Sequence, residues 1–259
     1  MKKTLVIAAV ALAGLLVSNC QKEAAETSRN IYIALGNSQD SAKVDIDVPT
    51  YADQNVNIAI MEQMSEQFGG TYEGDYADCD SFARFCAQRY MDEMKNLRDE
   101  FEDFDMGLPF ERSLTVKKGY ETDKLVTYNV QTYEFSGGAH GGTASYGLTF
   151  RKSDGRLMGE NTLLAVRPDA VEWNEMLKHG LMEYFEVKNE TDLEACLQGV
   201  EMYDIPMPAC GVSYGPNGMD FVYQQYEVAC YAAGLPSFTI PYDKLKPCLN
   251  VTGRRLVEE

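Results

Sequence analysis

The sequence predicts an α+β fold: a mainly antiparallel sheet of about six or seven strands with about three helices packed on it. Three observations predict it. Apolar and polar residues alternate with period two on both sides of a glycine-rich crossing, at Val126, Tyr128 and Val130 and again at Ala144, Tyr146, Leu148 and Phe150. Two helical stripes occupy residues 53–104, ahead of most of the strands. That order favours segregated layers over a βαβ winding. Gly215-Pro216-Asn217-Gly218 lies between two apolar runs and reads as a hairpin turn.

The elements follow in order. Residues 1–19 read as a signal peptide, with Lys2-Lys3 as the charged start, an apolar run over 5–17 and Ser18-Asn19-Cys20 as the cleavage region. The run is too short for a comfortable transmembrane helix. Val17-Ser18-Asn19-Cys20 resembles a lipobox. Cys20 is therefore expected to carry lipid, to become the first mature residue and to attach the protein to the bilayer. Gln21-Lys22-Glu23 follows, without the aspartate that favours inner-membrane retention. An outer-membrane lipoprotein of a Gram-negative bacterium, periplasmic or surface-exposed, is the expectation. Residues 20–42 read as a polar tether, with a short strand at most over 31–35.

A compact domain is expected over 43–246. Val44, Ile46 and Val48 alternate with charged residues and mark its first strand. Val56, Ile60, Met64 and Phe68 recur at helical spacing, and Gly69-Gly70 stops that helix. A longer helix carries the stripe Phe82, Cys86, Tyr90, Met94, Leu97 and Phe101, which reads as core. It ends in Asp99, Glu100, Glu102, Asp103 and Asp105, acids that oppose the helix dipole. A strand is expected over 109–120, then the central pair and an Asp154-Gly155 turn. Pro168 opens a helix whose buried face is Trp173, Leu177, Leu181 and Tyr184, leaving His179 toward solvent. The last strand is expected over 235–241, and residues 247–259 read as a loose tail.

Net charge is −17 over 259 residues. Removal of residues 1–19, which hold Lys2 and Lys3 and no acid, takes it to about −19. Such a balance argues against nucleic acid and against a peripheral binder of anionic membranes. It favours attraction to basic partners. With Cys20 lipidated, six cysteines remain: Cys79, Cys86, Cys196, Cys210, Cys230 and Cys248. An even count outside the cytoplasm implies disulfides. Cys196–Cys210 and Cys230–Cys248 would each close a short loop. Cys79 and Cys86 in one continuous helix would stand about 10 Å apart, too far for a bridge.

Little in the chain points to chemistry. No Cys-x-x-Cys or His-rich spacing indicates zinc, so neither a metal nor a cofactor is expected. The glycine stretch 136–142 precedes a strand and lacks the Gly-Lys-Ser/Thr of a phosphate loop. Ser213 lacks the Gly-x-Ser-x-Gly pattern. His140, among glycines, is either an exposed base or ligand or a ring that fixes the crossing. Tyr133, Tyr223, Tyr226 and Tyr231 form an aromatic group suited to stacking on sugars or anchoring a protein.

Gly137-Gly138-Ala139-His140 with its following strand and Asp-Gly turn, and Tyr226-Glu-Val-Ala-Cys-Tyr-Ala-Ala-Gly234 followed by Phe238-Thr-Ile-Pro-Tyr242, resemble the PdaC/RsiV-like extracytoplasmic domain of bacteria. The resemblance covers roughly residues 43–246; members usually carry proline at the position of Cys230. Relatives sit beside polysaccharide deacetylase domains, form the lysozyme-sensing end of anti-sigma factors, or stand alone as lipoproteins. It implies a non-enzymatic binding or sensing module. The ligand would be cell-wall glycan, such as a peptidoglycan fragment, or a basic protein such as lysozyme. Tyr133, His140, Tyr226 and Tyr231 are the candidate contacts. An envelope hydrolase using His140, or a purely structural lipoprotein, are the alternatives.

Overall fold

A computed structural model describes residues 27–100, 107–163 and 171–258. The signal peptide, Cys20, Phe101, Pro168 and the acids Glu102, Asp103 and Asp105 lie outside the described residues. The fold is α+β, with nine strands in two sheets among the described residues.

The large sheet has the order β1 (Ser28–Gly36), β2 (Asp40–Pro49), β3 (Phe110–Glu121), β4 (Leu125–Phe135), β5 (Gly142–Arg151) and β6 (Leu157–Met158). All its pairings are antiparallel except β2 with β3. Between those two strands the chain runs through α1 (Gln54–Gln67) and α2 (Cys79–Glu100). This corrects the expectation of purely segregated layers: the two early helices form a crossover, and a crossover returns the chain parallel.

β1 corrects a second expectation. Nine residues of the supposed tether pair along β2, from Ser28 opposite Pro49 to Gly36 opposite Ser41. Asn37 closes the turn by accepting hydrogen bonds from the backbone N–H of Gln39 (2.7 Å) and Asp40 (2.8 Å). As an edge strand, β1 buries few of its side chains, Ile31 among them, so its sequence lacks the apolar signal of an inner strand.

Period-two alternation makes β4 and β5 serve two cores. Val126, Tyr128, Val130, Leu148 and Phe150 face α1 and α2. Asp53 caps α1 by accepting from Asn55 N–H (2.9 Å). Cys79 and Cys86 are buried there, at the start and on the inner face of α2. Leu125, Thr127, Gly147 and Thr149 face the other way, toward the small sheet. That sheet comprises β7 (Val212–Tyr214), β8 (Gly218–Val222) and β9 (Ser237–Pro241), all antiparallel. It is separate from the large sheet, where a single sheet of six or seven strands was expected. Thr127 Oγ1 donates to Tyr214 O (2.6 Å), and Tyr214 N–H donates to Thr149 Oγ1 (2.9 Å), bonding the two sheets through buried groups.

The second core lies under α3 (Val171–Tyr184) and α4 (Glu190–Cys196), with Trp173, Leu177 and Leu181 buried against Phe221 and Phe238. His179 is exposed, as expected. After α5 (Tyr242–Leu245), the expected loose tail is instead a helix, α6 (Val251–Val257). Asn250 caps it by accepting from Gly253 N–H (2.9 Å), and Leu249 and Leu256 are buried in the second core. Seven helical residues are too few to show a pattern in sequence.

The six cysteines are thiols, with no disulfide among the described residues. Both expected bridges are thereby corrected. Cys248 is buried in the second core while Cys230 is exposed, and Cys196 Sγ lies 3.3 Å from Asp192 O in its own helix. Burial pushes the Cys86 thiol up to about 11.

Glu121 ties the two ends of the large sheet together. It accepts hydrogen bonds from Thr27 Oγ1 (2.7 Å), Lys152 Nζ (2.7 Å), Tyr51 OH (3.0 Å) and Lys118 Nζ (3.1 Å). Burial works to raise its pKa, but the donors outweigh it and hold the carboxyl at about 2, below the ordinary 4.5. A depressed folded pKa stabilises above the unfolded value and is lost as pH falls through the folded one. The contribution is thus full above about pH 4.5 and gone near pH 2. Glu121→Gln is expected to lose about 2 kcal/mol at neutral pH, solvent screening removing the rest, and to close on the parent at acid pH. Urea unfolding of both proteins at pH 7 and pH 3 measures it; equal stability at pH 7 would contradict it.

Candidate functional site: an aromatic groove

At the Phe135 end of β4 a groove of about 700 Å³ opens between α2, the sheet, the glycine crossing and the loop after β8. It brings together all four candidate contacts, Tyr133, His140, Tyr226 and Tyr231. Residues ninety positions apart in sequence, Gly141 and Tyr231, meet there. The His140 ring stacks on Tyr231 with centroids 3.7 Å apart and planes 21° apart. Tyr231 OH donates to Gly141 O (3.0 Å), and His140 Nδ1 lies 3.2 Å from the same oxygen. The Tyr133 ring lies so close to Gly141 that a Cβ there would stand 2.6 Å from it, so a larger residue would require the ring to move. Tyr223, in contrast, is buried and donates its hydroxyl to Pro206 O (2.8 Å); it packs and does not reach the groove.

The loop after β8 is held by side-chain amides acting as a substitute strand. Gln224 accepts from Ser145 N–H (3.0 Å) and donates to Ser145 O (3.0 Å), pairing with β5 as a neighbouring backbone would. Gln225 Oε1 accepts from Thr143 N–H (3.0 Å). Glu227 accepts from Gln224 N–H (2.7 Å) and Ala209 N–H (2.6 Å). These bonds hold Tyr226 at φ 65°, a left-handed conformation costly for a bulky residue, with its ring 63% exposed. Cys230 has φ −65° and ψ 161°, a backbone compatible with the proline that the family resemblance implies at this position.

The opposite wall is charged. Arg112 pairs with Glu93 and with Glu134 (3.0 Å), and Arg89 lies 3.4 Å from Glu93 and donates to Phe68 O. Both guanidiniums flank the Tyr90 ring, 5.6 Å and 5.9 Å from its centre. The Nε atoms of both arginines are buried without a hydrogen-bond partner. Burial pushes the Tyr146 phenol up to about 12 and raises Tyr90 as well, so both keep their protons and can donate. The wall is charge-balanced: two arginines face two glutamates.

Sequence reasoning missed Arg89, Tyr90, Glu93, Arg112, Gln224 and Gln225. The signal available for the last two was their place between Tyr223 and Tyr226; the helical residues carry none, since a polar residue beside a core stripe is ordinary. Among the described residues, no group of three or more His, Cys, Asp or Glu is placed to hold a metal ion.

Two family models match the chain. That of the deacetylase PdaC matches residues 35–143, and that of DUF3298, a protein family of unknown function, matches residues 211–243. The groove is built from both matched segments. A crystal structure of a DUF3298 family member from Bacteroides fragilis is similar at a TM-score of 0.67 and 16% identity, covering 88% of this chain and 94% of that one. One from Pseudomonas aeruginosa is similar at 0.58 and 17%, covering 86% and 94%. At these identities the likeness is one of fold. No curated protein matches the chain.

Proposed function

We propose that the chain is a non-enzymatic binding module of a cell-envelope lipoprotein, anchored through Cys20, and that the groove takes cell-wall glycan; its matches to the PdaC and DUF3298 models support the reading. The observation that carries this reading is the stacked His140–Tyr231 pair with Tyr226 held exposed beside it. Flat aromatic faces bind the apolar faces of sugar rings. Fixed polar groups around them, here Gln225, Glu134, Arg112 and the Tyr146 hydroxyl, then orient the sugar hydroxyls. The deacetylase in the name of the first model is not carried over; the reading rests on the aromatic groove, in which His140 stacks on Tyr231.

A basic protein such as lysozyme is the second reading, favoured by the net charge of −17. Titration with N-acetylated cell-wall oligosaccharides, and separately with lysozyme, at low salt and at about 0.15 M, distinguishes them. Saturable glycan binding that survives the higher salt is expected. Lysozyme binding alone, with no response to glycan, would replace the first reading by the second.

A further inference from the structure

The end of the large sheet away from the groove carries a second pocket, of about 500 Å³, built by the β3–β4 turn, the β5–β6 turn and α6. Four of its side chains are cationic, Lys124, Arg151, Lys152 and Arg255, against the single acid Asp123. That is a local reversal of charge in a chain of net −17. Two of the four are committed elsewhere: Arg151 pairs with Asp154 (2.8 Å from Nε) and Lys152 with Glu121 (2.7 Å). Lys124 Nζ donates to the Glu258 carbonyl oxygen, and among the described residues neither Lys124 nor Arg255 makes an ion pair. Both are exposed.

The N-terminal segment enters the domain at this same end. Thr27 donates to Glu121, the carboxylate that also holds Lys152. Cys20 precedes Thr27 by seven residues, a reach of at most about 25 Å. β4 starts at the pocket with Leu125 and ends at the groove with Phe135, so about 30 Å of strand separates the two.

We propose that the pocket binds the phosphate of an anionic lipid headgroup in the bilayer that holds Cys20, with Lys124 and Arg255 as the contacts. Docked so, the domain stands with its groove facing away from the membrane. The inference rests on the tether and the pocket and is independent of the ligand in the groove. The net negative charge opposes adsorption of the untethered protein. A short tether, however, presents headgroups at an effective concentration of about millimolar, so a weak site suffices.

The test uses the lipidated protein in phosphatidylcholine vesicles with and without phosphatidylglycerol, read by amide hydrogen exchange. With phosphatidylglycerol, α6 and the two turns are expected to slow at least about threefold, a loss of exchange that Lys124→Gln/Arg255→Gln abolishes and that leaves residues 137–142 unchanged. Equal exchange in the two vesicle types, or equal slowing in the double variant, would overturn the proposal. So would the same slowing produced by inorganic phosphate in phosphatidylcholine vesicles alone, which would make this a free-phosphate site. Membrane-fraction protein with an unmodified Cys20 would overturn it as well, since the tether would then be missing.

Discussion

Gly147→Ala is expected to destabilise the protein by about 3 kcal/mol, the upper end for overpacking a core. A Cβ at this position would stand 2.1 Å from Ser213 Oγ and 2.4 Å from Ser213 Cβ. Ser213 lies in β7 and is buried, so neither strand can yield without parting the two sheets. The buried bonds of Thr127 and Thr149 to Tyr214 run through the same junction and would stretch with it. A fall in melting temperature of about 6–12 °C follows for a chain of this size. Ser213→Gly removes both clashing atoms, and combining it with Gly147→Ala should recover most of the loss, as a double-mutant cycle would measure. A Gly147→Ala protein within about 0.5 kcal/mol of the parent would show that the sheets are not tightly joined there. The same stretch of β5 carries the amide bonds of Gln224 and Gln225, so groove binding should weaken in step with stability.

Tyr231→Ala is expected to reduce glycan affinity at least tenfold, about 1.4 kcal/mol. The ring stacks on His140, sits 5.9 Å from Tyr226 and bonds Gly141 through its hydroxyl. Its loss removes one sugar platform and frees the other two. Tyr231→Phe keeps the stack and gives up one hydrogen bond, worth about 0.5–1.5 kcal/mol, so it should bind between parent and alanine variant. Tyr226→Gly separates binding from stability. Glycine adopts φ 65° without strain, so this variant should be at least as stable as the parent while losing the exposed ring. Calorimetric titration with the oligosaccharides gives the affinities. A Tyr231→Ala protein that binds within about twofold of the parent would remove the aromatic stack from the site.

Much of this was legible before any coordinates. Tyr133, His140, Tyr226 and Tyr231 could be named as candidates because they lie near the two short motifs, although in sequence a packing role for each was as open as a binding one. Tyr223 looked the same in sequence and proved to be core, since exposure depends on what covers a strand. The arginines of the groove were hidden for the same reason: Arg89 in a helix and Arg112 in a strand read as solvated surface, and only the approach of α2 to β3 turned them inward onto Tyr90. The cysteine pairs failed because loop length says that two thiols can meet, and packing decides whether they do.

By itself the sequence determined the three longer helices and the inner strands, where the tight turns fall, and that β4 and β5 present two faces. These are local properties, set by periods of two and of 3.6 residues and by the backbone freedom of glycine, asparagine and aspartate. Tertiary structure alone decided the parallel pairing of β2 with β3, the division of nine strands into two sheets, and the folding of residues 28–36 and 251–257 into the domain. Each depends on contacts between residues far apart in the chain. Hydrogen bonds to a remote strand, or burial under a remote helix, leave little trace in the residues that receive them, because an edge strand and a two-turn helix need little apolar surface of their own.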